Sequence, residues 1–329
     1  MIRPYIVFLD AATVGADISL EPIAQMGAFT SFSATKPDEV AMRVADADII
    51  IVNKVRIFQQ QMDAAPQLKL ICVAATGTDN VDSIYAQSKG IAVKNVAGYS
   101  TDSVAQLTFA HLLHLVTHLS YYNHYVHSGS YAESPNATHI GPMFTELKGK
   151  QLGIIGMGNI GQKVAKIASA FGMNPVYYST SGTGHCKDYP CVGLQELLKT
   201  SDVVSIHAPL NDRTRNLIAI QELELMKPTA LLINMGRGGI VHEADLVKAL
   251  NEHMIAGAGV DVFSKEPISQ EHPFYGVVDQ QRLLLTPHIA WTSIEARTTL
   301  VQKIAENIRT YLLTQKQVFS ASEQQRNGQ

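Results

Sequence analysis

The chain has 329 residues, 46% of them hydrophobic, and a formal net charge of −3. That length suits about two domains, and the apolar content is enough for packed cores rather than a disordered polymer. Lysine and arginine are scattered without a basic run, which argues against a nucleic-acid partner, and no apolar segment approaches the ~20 residues of a membrane helix.

The start of the chain, residues 1–9, carries too short an apolar run for a secretion signal and reads as a first buried strand. Alternating apolar runs predict strands at 5–9, 28–32, 48–52, 68–74 and 91–96, with amphipathic helices at 21–26, 37–45, 58–64 and 81–88 between them. A long helix is predicted from 101 to about 126, opened by Ser100, Thr101, Asp102 and Ser103, whose side chains can accept from first-turn N–H groups. A looser stretch, 128–149, leads into a second series with strands at 152–155, 175–179, 202–207, 230–234, 256–261 and 283–286. A final helix at about 293–313 precedes a polar tail, 320–329, expected to be disordered.

Strand–helix alternation with nearly all-apolar strands predicts α/β architecture: two doubly wound parallel-sheet domains, flavodoxin-like and Rossmann, with a cleft between. The first unit lacks a helix at its C-terminal side, which the last helix can supply. A discontinuous domain, 1–100 plus 292–329, is therefore expected, with a dinucleotide-binding domain, 101–291, inserted. Cys72, Cys186 and Cys191 fit neither a disulfide framework nor a usual zinc pattern, so a reducing, cytoplasmic setting is expected.

Gly156-Met157-Gly158-Asn159-Ile160-Gly161 matches G-x-G-x-x-G. The string alone is weak, but here it follows an apolar strand and opens an amphipathic helix. In that setting Gly156 permits a tight turn, Gly158 lets backbone approach a pyrophosphate, and Gly161 lets helix pack close on strand. The end of the next strand should carry an acid for the adenosine ribose, yet Ser179 stands there. A serine does not repel a 2′-phosphate, and no arginine is close in sequence to attract one. NAD is the cofactor expected, with NADP tolerated.

Seven segments then add up: ATGTDNVD at 75–82, NVAGYSTDSVA at 95–105, the Gly156 turn, HAPL at 207–210, NMGRG at 234–238, DVFSKEP at 261–267 and TPHIAW at 286–291. Over nearly its whole length the chain resembles the D-isomer-specific 2-hydroxyacid dehydrogenases, and within them the glycerate dehydrogenase (hydroxypyruvate reductase) group. The residues themselves suit such chemistry. Arg237 follows an apolar strand, where α/β folds place ligands, and its planar cation can hold a carboxylate and polarise the adjacent carbonyl. His288 also follows a strand and can exchange a proton near neutral pH. The resemblance implies a Glu266–His288 pair, in which the carboxylate orients the imidazole and favours its protonated form. Glu266 also argues against formate oxidation, whose relatives pair this histidine with glutamine.

The resemblance further implies that Thr76 and Gly77 bind substrate carboxylate through backbone N–H groups and that Trp291 walls the substrate pocket. By the same likeness Asn159 and Ile160 offer turn N–H groups to the pyrophosphate, Pro209 and Thr214 line the cofactor, and Asp261 and His288 lie by the nicotinamide. No metal is expected: His111, His114 and His118, with His124 and His127 beyond, are read as partly exposed or interface histidines. A homodimer through the cofactor domains, acting on a small 2-keto or 2-hydroxy acid, is implied. Alternatives are a D-lactate or broad 2-ketoacid reductase, or a dinucleotide-sensing corepressor-like protein with the same three positions.

Overall fold

In the computed structural model the described residues are 3–327. They form two compact units: the residues up to Ser100 with those from Thr292 onward, and Thr101–Trp291.

In the first unit, in chain order, lie β1 (Tyr5–Phe8), α1 (Glu21–Ala24), β2 (Ala28–Ser31), α2 (Val40–Val44), β3 (Ile49–Val52), α3 (Gln59–Asp63), β4 (Leu70–Val73), α4 (Ser83–Ser88) and β5 (Ala92–Lys94). Its five strands are all parallel in the order β2-β1-β3-β4-β5, the flavodoxin-like arrangement. Every residue of β3 and β4 is buried, which explains why these central strands read as unbroken apolar runs.

The second unit holds α5 (Thr101–Thr117), α6 (Leu119–His127), β6 (Gln151–Ile155), α7 (Asn159–Ala170), β7 (Asn174–Tyr178), α8 (Leu194–Thr200), β8 (Val203–Ile206), α9 (Ile220–Leu225), β9 (Leu231–Asn234), α10 (Glu243–Asn251), β10 (Gly257–Val260) and β11 (Leu283–Leu285). Its parallel sheet runs β11-β10-β9-β8-β6-β7. Beyond β7 a parallel bridge pairs Tyr177 with Cys191, Tyr177 N–H donating to the Pro190 carbonyl and Val192 N–H to the Tyr177 carbonyl, both at 2.9 Å. Counting that rudimentary strand, the order becomes that of a Rossmann domain, with the reversal between β6 and β8. The sequence reading missed it because Pro190 cannot donate to a ladder and Gly193 follows at once.

Successive strand residues face opposite sides of this sheet. Leu152, Ile154, Val203, Leu231 and Ile233 pack with Phe109 and Leu112 of α5 and Val164 and Ala168 of α7. On the other side Ile155, Val204, Ile206 and Leu232 pack with Leu197, Leu223, Leu246 and Leu250 from α8, α9 and α10. Two apolar layers thus hold the strand ends level, and the loops at those ends carry the chemistry.

Two expectations need correction. The helix predicted over 101–126 is two helices, broken at His118, whose φ of 53° is left-handed. The Thr117 hydroxyl donates to the Leu113 carbonyl at 2.5 Å, and the β-branched Val116-Thr117 pair weakens continuation. A left-handed residue then ends the turn. The tail expected to be disordered continues the last helix, α11 (Ile294–Asn327), at least through its backbone. Residues 294–327 contain neither glycine nor proline and are rich in Ala, Gln, Glu and Arg, so nothing local stops the helix; residues 328 and 329 lie outside the described residues.

The apolar face of α11 buries Ala296, Leu300, Val301, Ile304, Ala305 and Ile308. It is anchored in the first unit by Arg297, which donates to the Val14 carbonyl at 2.8 Å and pairs with Asp17 at 2.5 Å. The guanidinium holds the Asp17 carboxyl below its usual range, chiefly through that hydrogen bond. Among the described residues no helix is long and apolar enough to cross a membrane.

Candidate active site

Three neighbouring strands, β9, β10 and β11, end side by side, and each loop beyond them supplies one side chain. After β9, Asn234 closes a turn: its amide donates to the Arg237 carbonyl and its side-chain oxygen accepts from Gly236 N–H, both at 3.1 Å. The Arg237 guanidinium folds back onto the Gly236 carbonyl at 2.9 Å. Gly238 lies against the backbone of Phe263 so closely that any Cβ there would collide with the Phe263 carbonyl group. This contact presses the Arg237 turn onto the loop after β10.

That loop carries Glu266. One of its oxygens accepts from Phe263 N–H at 3.0 Å, and the other meets His288 Nδ1 at 2.6 Å. Glu243, the first residue of α10, braces the same loop by accepting from Ser264 N–H at 2.7 Å and from the Ser264 hydroxyl at 2.6 Å. The nearly buried His272 ring stands 3.2 Å from the same carboxylate. The sequence reading assigned nothing to Glu243, because its job depends on a loop 21 residues away.

His288 follows β11 in a left-handed conformation, φ 56°, which costs an ordinary side chain of order 1 kcal/mol or more. Asp261 holds that turn. Its carbonyl accepts from His288 N–H at 2.8 Å, and its fully buried carboxylate accepts from Ile289 and Ala290 N–H, each at 2.9 Å, and from the Thr286 hydroxyl at 2.5 Å. Burial pushes the Asp261 carboxyl up, while those three donors pull it back. The carboxylate of Asp261, which the resemblance places by the nicotinamide, thus also fixes the shape of the histidine turn.

His111 also enters here, against expectation. It is not partly exposed but 1% exposed, its Nε2 lying 3.1 Å from the Thr286 hydroxyl. Because that hydroxyl gives its proton to Asp261, His111 donates through Nε2–H. Gly259 makes room for the ring, since a Cβ would stand 2.7 Å from Nδ1. Burial pushes His111 down to about 4. The unfolded chain therefore takes a proton near pH 6.5 that the fold refuses until about 4, so acidification favours unfolding. Lowering pH from 7 to 5 is expected to cost about 2 kcal/mol through this residue, and His111→Gln should lose that part of the acid sensitivity in denaturant melts. Equal slopes of stability against pH for both proteins would refute it.

At the other end of the sheet sits the glycine turn, and each glycine has a physical reason. Gly156 has φ +95°, and a Cβ on it would be 2.9 Å from the Ala208 backbone. On Gly161 a Cβ would collide with the Gly156 carbonyl, whereas on Gly158 it would meet nothing within 4 Å. The turn thus leaves open space over Gly158 in front of α7, with Asn159 and Ile160 in its first turn: a cradle for a pyrophosphate at a helix N-terminus. Gly158→Ala is expected to fold with unchanged Tm yet to weaken NAD(P)H binding tenfold or more in fluorescence titration. Unaltered affinity would show the space is not used.

Of the remaining candidates, Thr214 is buried and staples its own loop, donating to the Pro209 carbonyl at 2.7 Å and accepting from Asn211 N–H at 2.8 Å; Pro209 is exposed above it. Ser179 donates to the Thr183 carbonyl at 2.6 Å. Trp291 is half-buried at the end of this unit. Thr76 and Gly77 belong to the first unit, where the Thr76 hydroxyl donates to the Val96 carbonyl at 3.2 Å and the Asn95 amide donates to the Thr76 carbonyl at 2.6 Å. Among the described residues no group of three or more His, Cys, Asp or Glu side chains is placed to hold a metal.

Comparison with known proteins decides the family. Residues 109–290 match the NAD-binding domain of the D-isomer specific 2-hydroxyacid dehydrogenases. The chain belongs to that family. It is 36% identical to a hydroxypyruvate reductase of Blautia hydrogenotrophica over 89% of this chain and 91% of the relative. Among solved structures it resembles an acyclic imino acid reductase in complex with NADPH and D-Arg, with TM-score 0.84 and 30% identity over 94% of this chain and 97% of the other. It also resembles an NADPH-dependent glyoxylate/hydroxypyruvate reductase of Sinorhizobium meliloti in complex with NADP and malonate, with TM-score 0.80 and 26% identity over 94% of both chains. The D-2-hydroxyacid dehydrogenase is therefore an oxidoreductase built on an NAD-binding domain.

Proposed function

We propose that this dehydrogenase reduces a small 2-keto acid, hydroxypyruvate above all, to the D-2-hydroxy acid. The observation that carries the reading is the 2.6 Å contact between His288 Nδ1 and Glu266, on a loop pressed against the Arg237 turn. Arg237 holds the substrate carboxylate and draws electron density from the adjacent ketone. His288, with Nδ1 held by Glu266, passes a proton from Nε2 to the ketone oxygen as that oxygen gains charge. Glu266 fixes the ring's orientation. A nicotinamide dinucleotide, with its pyrophosphate held at the Gly158 turn, would supply the hydride.

The nucleotide half is held by Gly156, Gly158, Asn159, Ile160 and Gly161, with Pro209 and the Thr214-stapled loop beside it. Asp261 is a positioning residue for the His288 turn. A proton donor held by a carboxylate suits an oxygen that must be protonated, which favours a keto acid over the imino acid implied by one structural relative.

The reading extends to assembly and place. The three cysteines are free, which fits the cytoplasm. Around α6, Leu119, Val126, Ile140, Met143 and Phe144 are all more than half exposed, a surface suited to a second copy. A homodimer of twice 35.8 kDa is accordingly proposed.

The test is initial rates on hydroxypyruvate, glyoxylate, pyruvate and bulkier 2-keto acids, each with NADH and NADPH. Highest kcat/KM is expected for hydroxypyruvate. Absence of turnover with every acid, despite dinucleotide binding, would favour a sensing role instead.

A further inference from the structure

The ends of β7, β6 and β8 stand in a row. Gly156 N–H donates to the Tyr178 carbonyl at 3.1 Å, which sets Ser179 directly beside the phosphate turn. On the opposite flank the loop after β8 packs onto the same glycine, with the Ala208 backbone 2.9 Å from where a Cβ would be. The two flanks touch: the Arg213 guanidinium donates to the Ser181 carbonyl at 3.5 Å. This is the arginine that the linear sequence did not place near Ser179, 34 residues away along the chain but on the facing loop.

In a dinucleotide fold the residue at position 179 meets the adenosine ribose, and a carboxylate there gathers the 2′- and 3′-hydroxyls while repelling a 2′-phosphate. Here that residue is a serine. Its hydroxyl donates to the Thr183 carbonyl at 2.6 Å and lies 3.1 Å from the Ser181 hydroxyl. Both hydroxyls rotate at little cost and can turn their protons to an anion. Arg213 is exposed and held by one long hydrogen bond, so its fork is available to a ligand that offers more than a carbonyl does. Asn211 fixes the start of that segment by accepting from Arg213 N–H at 2.9 Å, so the arginine rests on an ordered loop.

We propose that Ser179, Ser181 and Arg213 form a 2′-phosphate site, and that the enzyme prefers NADPH to NADH. The inference rests on the dinucleotide reading above and sharpens it. The phosphate takes the guanidinium fork and the two hydroxyl protons, while the Thr183 carbonyl is released to water.

Binding tests it without turnover. Dissociation constants for NADPH and NADH are read from nicotinamide fluorescence, and 2′,5′-ADP and 5′-ADP are compared as displacing ligands. Wild type is expected to bind NADPH at least tenfold more tightly than NADH and to be displaced by 2′,5′-ADP at correspondingly lower concentration. Arg213→Ala should remove most of that ratio by weakening NADPH, and Ser179→Asp should invert it. Equal binding of the two dinucleotides to wild type, or a ratio untouched by Arg213→Ala, would overturn the phosphate site while sparing the dinucleotide reading. Failure of both dinucleotides to bind would overturn both.

Discussion

Replacing His288 by asparagine is expected to lower kcat for keto-acid reduction by about 100- to 10,000-fold, the usual worth of a positioned general acid. Asparagine is the informative substitution because it accepts the left-handed backbone of this position, φ 56°, more readily than alanine. The Asp261 bonds to the turn, made through the backbone N–H groups of residues 288–290, are then kept. The loss should therefore fall on kcat, with Tm and the dissociation constant for NADPH little changed, as stopped-flow and fluorescence titration would report. A fall of less than threefold would mean that the proton reaches the substrate by another route.

Gly238→Ala should be the most damaging single methyl group in the second unit. Its Cβ would overlap the Phe263 carbonyl, a backbone group that cannot rotate aside. Either the Arg237 turn or the Glu266 loop must move by something near 1 Å, and a displacement of that size can cost about 100-fold in kcat/KM. Overpacking of this kind also costs about 1–3 kcal/mol of stability. Gly276→Ala is the matched control, because its Cβ would come no nearer than 3.8 Å to a Val247 methyl. Comparable kinetics for the two variants would show that the contact between the loops does not align the site.

Legibility of this protein in its sequence followed the range of the interactions. Short unbroken apolar runs located every strand longer than one residue, because burial on both faces leaves few alternatives for β3, β4 and β9. The single-residue Cys191 strand carried no period to read. The break at His118 was hidden because it comes from a hydroxyl competing for a backbone carbonyl, a local contest without glycine or proline to announce it.

In the site, Arg237, Glu266 and His288 stand out through their motifs, and the glycine turn through its spacing. What holds them was less visible. Asp261 entered through the resemblance as a cofactor contact, and its three hydrogen bonds to the histidine turn add a bracing role that no motif announced. His111, Glu243 and Arg213 act across 175, 21 and 32 residues of chain, where sequence spacing carries no signal. The helix histidines had looked interchangeable until burial set His111 apart.

The most direct check on the carboxylate–imidazole pair is the pH–rate profile of hydroxypyruvate reduction for wild type and Glu266→Gln, measured side by side. Loss of the carboxylate that holds the imidazole at 2.6 Å is expected to lower the rate at least tenfold throughout the profile, with NADPH affinity retained. Superimposable profiles would mean that Glu266 takes no part in holding the proton, and the mechanism would have to be abandoned.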